Sequence, residues 1–166
     1  LNSIPKDSFK IMFAGNIGEA QDFPSIIEAA IILKPKKNIH WAILGGGRKE
    51  DWVKSEIKKN RLENCFHIMG SYPLEKMPNF YAQADCMLFS LKKEYIFSIT
   101  IPAKVQSYLA CGKPIIVSDK TPWLDIEEKQ CGIVAENDID KFYTAFKDII
   151  ILNSNCATMD KLKLFD

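Results

Sequence analysis

The chemistry open to this 166-residue chain is narrowed first by what it does not contain. There is no CxxC pair, and the five cysteines, Cys65, Cys86, Cys111, Cys131 and Cys156, are odd in number and widely spaced. Neither a zinc site nor a disulfide framework is therefore expected, and reduced thiols in a cytosolic protein fit better. Charge of one sign is also missing: 22 lysines and arginines face 21 acidic residues, and a net charge of +1 makes no broad field for nucleic acid or an anionic membrane. No apolar run approaches the length of a membrane span, and the start, Leu1-Asn-Ser-Ile-Pro5, has no signal-peptide pattern. Neither the dinucleotide fingerprint GxGxxG nor the P-loop GxxxxGK[ST] is present. Position one is not methionine, from which we expect a piece cut or processed from a longer protein.

What is present is an alternation of short apolar runs and amphipathic segments. Strands are predicted at Lys10–Ala14, His40–Leu44, Cys65–Met69, Cys86–Phe89, Pro114–Val117 and Gly132–Ala135. Helices are predicted at Asp22–Leu33, Arg48–Asn60, Leu74–Ala84, Pro102–Ala110, Trp123–Glu128 and Ile139–Leu152. Strand and helix take turns throughout, which predicts one α/β domain over residues 1–166: a Rossmann-like, doubly wound parallel sheet of about six strands with helices on both faces. In that class a ligand belongs at the carboxyl ends of the strands.

The segment Ile101-Pro-Ala-Lys-Val-Gln-Ser-Tyr-Leu-Ala-Cys-Gly-Lys-Pro-Ile-Ile-Val117 carries the most information. Pro102 suits a first helical turn and Gly112 the position just past a helix end. Lys104, Gln106 and Ser107 lie near the free N–H groups of that terminus, a setting that favours an anion, phosphate above all. Two glycine loops follow the first two strands: Ala14-Gly-Asn-Ile-Gly-Glu19 and Gly45-Gly-Gly-Arg48. Glycine lets backbone approach a ligand closely, and Arg48 offers a bidentate contact to phosphate. Three such features on one edge of a sheet reinforce each other.

Together with Tyr81-Ala-Gln-Ala-Asp85, these loops and the Ile101–Ile115 segment resemble the C-terminal, donor-binding domain of GT-B fold glycosyltransferases. Within them the chain is similar to the retaining group that builds bacterial capsule and O-antigen polysaccharides, and to the L-fucosamine transferase type. The resemblance implies transfer of a sugar from a nucleotide diphosphate donor, with UDP the commonest, to an acceptor hydroxyl. It implies no cofactor and no metal, and no nucleic acid or membrane span. It also implies that this is the C-terminal half of a two-domain enzyme. A missing N-terminal domain would supply the acceptor site, for a glycan or lipid-linked sugar, and the catalytic residues, so the fragment alone should turn over little. The implied place of work is the cytoplasm, at the inner membrane face for the full-length protein.

Carried over by position, the resemblance puts Gly15, Asn16, Gly18, Arg48, Thr100, Ile101, Ala103 and Lys104 beside the donor diphosphate. It puts Gly45, Gly46, Tyr72, Gln106 and Ser107 beside the nucleoside, with the loop Ser71-Tyr72-Pro73 lining the base. Fixed N–H donors at a helix terminus, aided by Lys104 and Arg48, would stabilise the charge that grows on the leaving diphosphate. The chain departs from the family in two ways. Many members carry glutamates eight positions apart; here Ser107, or Gln106 in an offset alignment, stands at the second, and Glu94 is too far upstream to be the first. Many also carry a basic residue where Gln21 stands. Both read as subfamily character.

Other residues have plainer readings. His40 and His67 sit in strand candidates without ligand-spaced partners and read as structural. Cys86 and Cys111 read as packing, as do Trp41 and Trp52, while Trp123 lies on the ligand edge. Asp125, Glu127 and Glu128 read as a solvated helix face, although a family carboxylate in this loop can approach the ribose or sugar. Lys92-Lys93-Glu94 reads as an exposed loop. Two rivals stand beside the transferase: a sugar-nucleotide epimerase of GT-B architecture, and a non-catalytic flavodoxin-like or receiver-like module with the same alternation. A receiver needs acidic residues after its early strands, and Ala14-Gly-Asn and Gly45-Gly-Gly do not supply them.

Overall fold

The computed structural model describes residues 1, 3–36, 38–92, 94, 103–117, 132–134 and 144, with backbone alone for 132–134. Its strands are β1 (Phe9–Ala14), β2 (Ile39–Leu44), β3 (Phe66–Gly70), β4 (Cys86–Phe89), β5 (Ile115–Val117) and β6 (Gly132–Val134). Their order in the sheet is β3-β2-β1-β4-β5-β6, and every pairing is parallel. The order reverses between β1 and β4. In open α/β sheets a crevice at the carboxyl ends forms at such a point.

Alternating side chains divide the core into two layers. Ile11 and Phe13 of β1, Trp41 and Ile43 of β2 and Leu88 of β4 face one side. There they meet Phe23, Ile26, Ile27, Ala30 and Leu33 of α1 (Phe23–Leu33) and Val53 and Ile57 of α2 (Glu50–Lys59). Met12 and Ala14, Ala42 and Leu44, and Met87 and Phe89 face the other side. They pack against Tyr81 of α3 (Met77–Tyr81) and Val105 and Tyr108 of α4 (Ala103–Ala110). All six residues of β2 are buried, which explains a strand apolar on both faces, as expected where helices cover both sides of a parallel sheet.

Local chemistry sets the ends of these elements. Asp22 caps α1, its carboxylate accepting from the Ser25 backbone N–H at 3.4 Å and the Ser25 hydroxyl at 2.6 Å. The helix predicted over Leu74–Ala84 is instead a 3-10 turn at Leu74–Lys76 followed by the short α3. Pro78 accounts for the break: it has no N–H to continue a helix begun at Leu74, and it suits the first turn of a new one. The third strand lies one residue later than the Cys65–Met69 expectation. Its register against β2 shifts between Ile43 and Leu44, so that Ile43 pairs with Ile68 and Leu44 with Gly70. The helices expected at Trp123–Glu128 and Ile139–Leu152 lie outside the described residues, apart from Thr144.

Among the described residues no helix is long and apolar enough to cross a membrane. The free thiol of Cys86 is buried in the core, while Cys65 and Cys111 are half-buried. His40 and His67 lie near the amino ends of β2 and β3, away from the crevice, with His40 Nδ1 and His67 Nε2 3.0 Å apart. Trp41 is buried and stacks on Phe66, whereas Trp52 is half-exposed with the Lys49 ammonium 5.9 Å from its ring.

Candidate donor site at the strand ends

Backbone hydrogen bonds bring the loops after β1, β2 and β3 together. The Gly15 N–H donates to the Leu44 carbonyl at 2.8 Å, and the Gly45 N–H to the Gly70 carbonyl at 2.8 Å. The Ile17 N–H donates to the Gly46 carbonyl and the Lys49 N–H to the Ile17 carbonyl, both at 2.9 Å. This closeness demands glycine at two positions. Gly15 and Gly45 have φ of 149° and 125°, and a Cβ on Gly45 would overlap the Gly15 carbonyl.

Over this floor opens a cavity of about 340 Å³. Ala14, Gly15 and Asn16 line it from the first loop, and Leu44, Gly45 and Gly46 from the second. Ser71, Tyr72 and Leu74 close the far side with Met77 and Tyr81. Tyr72 is 38 % exposed and its ring lies 4.3 Å from that of Phe80, tilted by 47°, so the outer wall is an aromatic surface braced from behind. Leu74 is 82 % exposed beside it.

Lys104 reaches this edge from α4. Its Nζ lies 4.9 Å from the centre of the Phe13 ring and 5.9 Å from that of Phe89, and it packs against Gly15. Phe13 belongs to one layer of the core and Phe89 to the other, so the ammonium occupies the gap between β1 and β4. Burial pulls its pKa below the ordinary lysine range. No carboxylate among the described residues pairs with it, and the two ring faces beside it favour a cation.

The remaining sequence candidates are spread around this centre. Gly18 is buried, its N–H donating to the Gln21 side chain at 3.2 Å, so the buried, uncharged Gln21 steadies the first loop. Gly18 lines a second, smaller cavity of about 50 Å³ with Lys49, Trp52 and Lys92. There the exposed Glu19 carboxylate bridges Lys49 at 2.9 Å and Lys92 at 3.6 Å, and the Lys49 contact is the main reason its pKa is lowered. Arg48 is exposed and lines neither cavity. Ala103, Gln106 and Ser107 are exposed on α4, and neither they nor Lys104 lines either cavity. Thr100 and Ile101 lie outside the described residues, as do Lys93, Trp123, Asp125, Glu127 and Glu128.

Leu74, Met77 and Tyr81 went unassigned in the sequence reading. Their spacing of three and then four residues, directly after Tyr72, is the helical signal that places them on the cavity side. Tyr108 was also missed. Its phenol accepts from the Ala14 N–H at 3.0 Å and donates to the Ala14 carbonyl at 2.8 Å.

Comparison with known proteins agrees with this architecture. The chain is 28 % identical over 116 residues to the colanic acid biosynthesis glycosyl transferase WcaI of Escherichia coli, covering 69 % of this chain and 28 % of that protein. The chain thus spans well under half of its curated relative. Among solved structures, the lipopolysaccharide biosynthesis glycosyltransferase WaaG superposes with a TM-score of 0.75 at 14 % identity, covering 92 % of this chain and 40 % of WaaG. The pneumococcal O-GlcNAc transferase GtfA, solved with UDP and GlcNAc, superposes with a TM-score of 0.67 at 15 % identity, covering 96 % of this chain and 32 % of that one. These likenesses establish the GT-B Rossmann-like fold. The family described as glycosyl transferases group 1 matches residues 8–151, and the chain belongs to that family.

Proposed function

We propose that this chain is the donor-binding half of a retaining glycosyltransferase that takes its sugar from a UDP-linked donor, of the L-fucosamine transferase type, for bacterial cell-surface polysaccharide. The observation that carries the reading is Lys104: a half-buried ammonium, held over two rings at the strand-end gap and unpaired by any described carboxylate, beside a cavity floored by glycine backbone. An anion there would gain a full charge interaction in a partly desolvated setting.

In this reading the diphosphate lies along Gly15, Asn16 and Lys104, with Ala103 at the start of α4 and the preceding sequence positions Thr100 and Ile101 as its further contacts. The base lies against Tyr72, between the second loop and the turn at Leu74. The leaving diphosphate gains negative charge as the glycosidic bond to the donor breaks, and Lys104 with the neighbouring backbone N–H groups stabilises it without reorganising. Arg48 is near enough in sequence to the second loop to add a contact if its exposed side chain turns inward. The acceptor and the remaining catalytic groups belong to a preceding domain, and the full-length enzyme works at the cytoplasmic face of the inner membrane. The UDP in the GtfA structure and the polysaccharide pathways of WcaI and WaaG support this assignment.

Calorimetric titration with UDP, GDP, ADP and the corresponding nucleosides, with and without magnesium, tests it. Selective binding of UDP without a magnesium requirement is the expected result. Binding of none of the diphosphates would overturn the donor-site assignment for this chain.

A further inference from the structure

Strand β1 is central, yet its two edges are treated differently. Against β2 it pairs over its whole length, from Phe9 with Ile39 to Ala14 with Leu44. Against β4 it pairs only at Ile11 with Cys86 and Met12 with Met87. Because the Gly15 N–H bonds to β2, the N–H and carbonyl of Ala14 point the other way, toward β4. There they find the Tyr108 phenol, which accepts from one and donates to the other. A hydroxyl can do both, and two backbone groups in the buried centre of the sheet are thereby satisfied.

Tyr108 is fully buried, and the Tyr81 ring meets it edge-on, with centroids 5.4 Å apart and planes at 82°. Tyr81 itself lines the larger cavity. Lys104 stands four residues before Tyr108 on α4 and so projects from the same face. The two side chains meet consecutive residues of β1 and its loop: Tyr108 bonds Ala14, and Lys104 packs against Gly15.

We infer that Tyr108 is a positioning residue for the donor diphosphate: it takes the place of the missing β4 partner and fixes the distance of α4 from the end of β1, and with it the seat of the Lys104 ammonium. The inference rests on the donor-site reading above. Burial holds the phenol above its ordinary pKa range, so it keeps the proton it donates.

Tyr108→Phe in the full chain tests this, because it keeps the ring against Tyr81 and deletes the two hydrogen bonds. UDP affinity should fall by roughly tenfold, in keeping with the loss of one well-placed charge-assisted contact, while uridine affinity changes by less than about twofold. In a Lys104→Met background the same change should cost UDP almost nothing further. NMR titration of the Lys104 side chain should show its pKa rising toward the ordinary lysine value in Tyr108→Phe. A merely structural role would lower the melting temperature and leave the UDP-to-uridine ratio, the Lys104 titration and additivity untouched, and that result overturns the inference. If the wild type binds no diphosphate, the donor reading fails, and an unmoved Lys104 titration then overturns the positioning role separately. Should Tyr108→Phe not fold, ring-labelled tyrosine in the wild type decides: the Tyr108 signal should shift on adding UDP, and a signal that stays still overturns the coupling.

Discussion

Gly45 sits so close to the Gly15 carbonyl that no side chain fits between them, whereas a Cβ on its neighbour Gly46 would meet only side chains, the Glu50 carboxylate at 3.0 Å and the Ser71 hydroxyl at 3.7 Å. Both glycines line the cavity, yet only Gly45 is closed to a side chain by neighbouring backbone. Gly45→Ala meets backbone that cannot yield, at a φ of 125°, and should destabilise the chain by at least about 2 kcal/mol. Gly46→Val displaces only the end of a flexible side chain. It should keep the melting temperature within a few degrees while filling the cavity and weakening UDP binding by more than about tenfold, the equivalent of 1.4 kcal/mol. Thermal melts and titrations of the two variants check the contrast, and a Gly46→Val protein that binds normally would remove the second loop from the site.

Lys104→Ala should weaken UDP by about tenfold to a hundredfold, as expected for a charge-assisted contact worth about 1.5–3 kcal/mol, and uridine far less. Equal losses for nucleotide and nucleoside would count against a phosphate partner. A companion, Lys104→Met, should bind UDP as poorly and yet be no less stable, because a half-buried ammonium without a described counter-charge is costly to hold. A large drop in its melting temperature would show that the contacts with Phe13 and Phe89 matter more to the fold than to the ligand.

For Tyr72→Ala the pattern should invert. The ring lies on the cavity wall, supported by Phe80, where a base can stack. Stacking of a base on an aromatic side chain is worth about 1–3 kcal/mol, so uridine and UDP should lose affinity by the same factor, about tenfold. Unchanged uridine affinity would exclude Tyr72 from base recognition.

The His40 and His67 pair predicts a pH dependence of stability. Burial is the first cause of the lowered pKa of each, followed by Lys10 for His40 and by His40 for His67. Both therefore hold protons less readily in the folded chain than at the ordinary value of 6.5. Unfolding takes up protons below that value, so this contribution to stability is fully present above pH 6.5 and is lost as the pH falls through the folded values. The chain has no third histidine, so the paired variant His40→Asn, His67→Gln should flatten the melting temperature between pH 6.5 and the carboxylate range. A slope that survives in that variant would place its origin elsewhere.

Much of the sheet was legible because buried parallel strands announce themselves as apolar runs, and β4 has the predicted bounds, Cys86–Phe89. What depends on register was not legible. His40 and His67 were each read as structural from their own segments, but their 3.0 Å contact follows from how β2 is paired with β3, which neither segment records. The site shows the same division. Glycine loops and Lys104 carry a local signal, whereas Tyr108 reads as one more core residue of a helix. Its partner, Ala14, lies 94 positions away and offers only backbone. Pro78 was a local signal that went unused: it alone argues against one continuous helix from Leu74.

The seam between β1 and β4 has a consequence for how the protein is made. Its contacts join residues far apart in the chain: Lys10 and Asp85 are 75 positions apart, and Ala14 and Tyr108 are 94. The pairs β1–β2 and β2–β3 close over much shorter stretches. A chain synthesised from its amino end can therefore assemble β1 to β3 with α1 and α2 while α4 is still unmade. Such an intermediate carries both glycine loops but neither Lys104 nor the phenol that satisfies Ala14. Half of the sheet can exist before the β1–β4 seam is complete, and even once β4 has joined, the Ala14 backbone at the end of the central strand waits for its partner until residue 108 arrives.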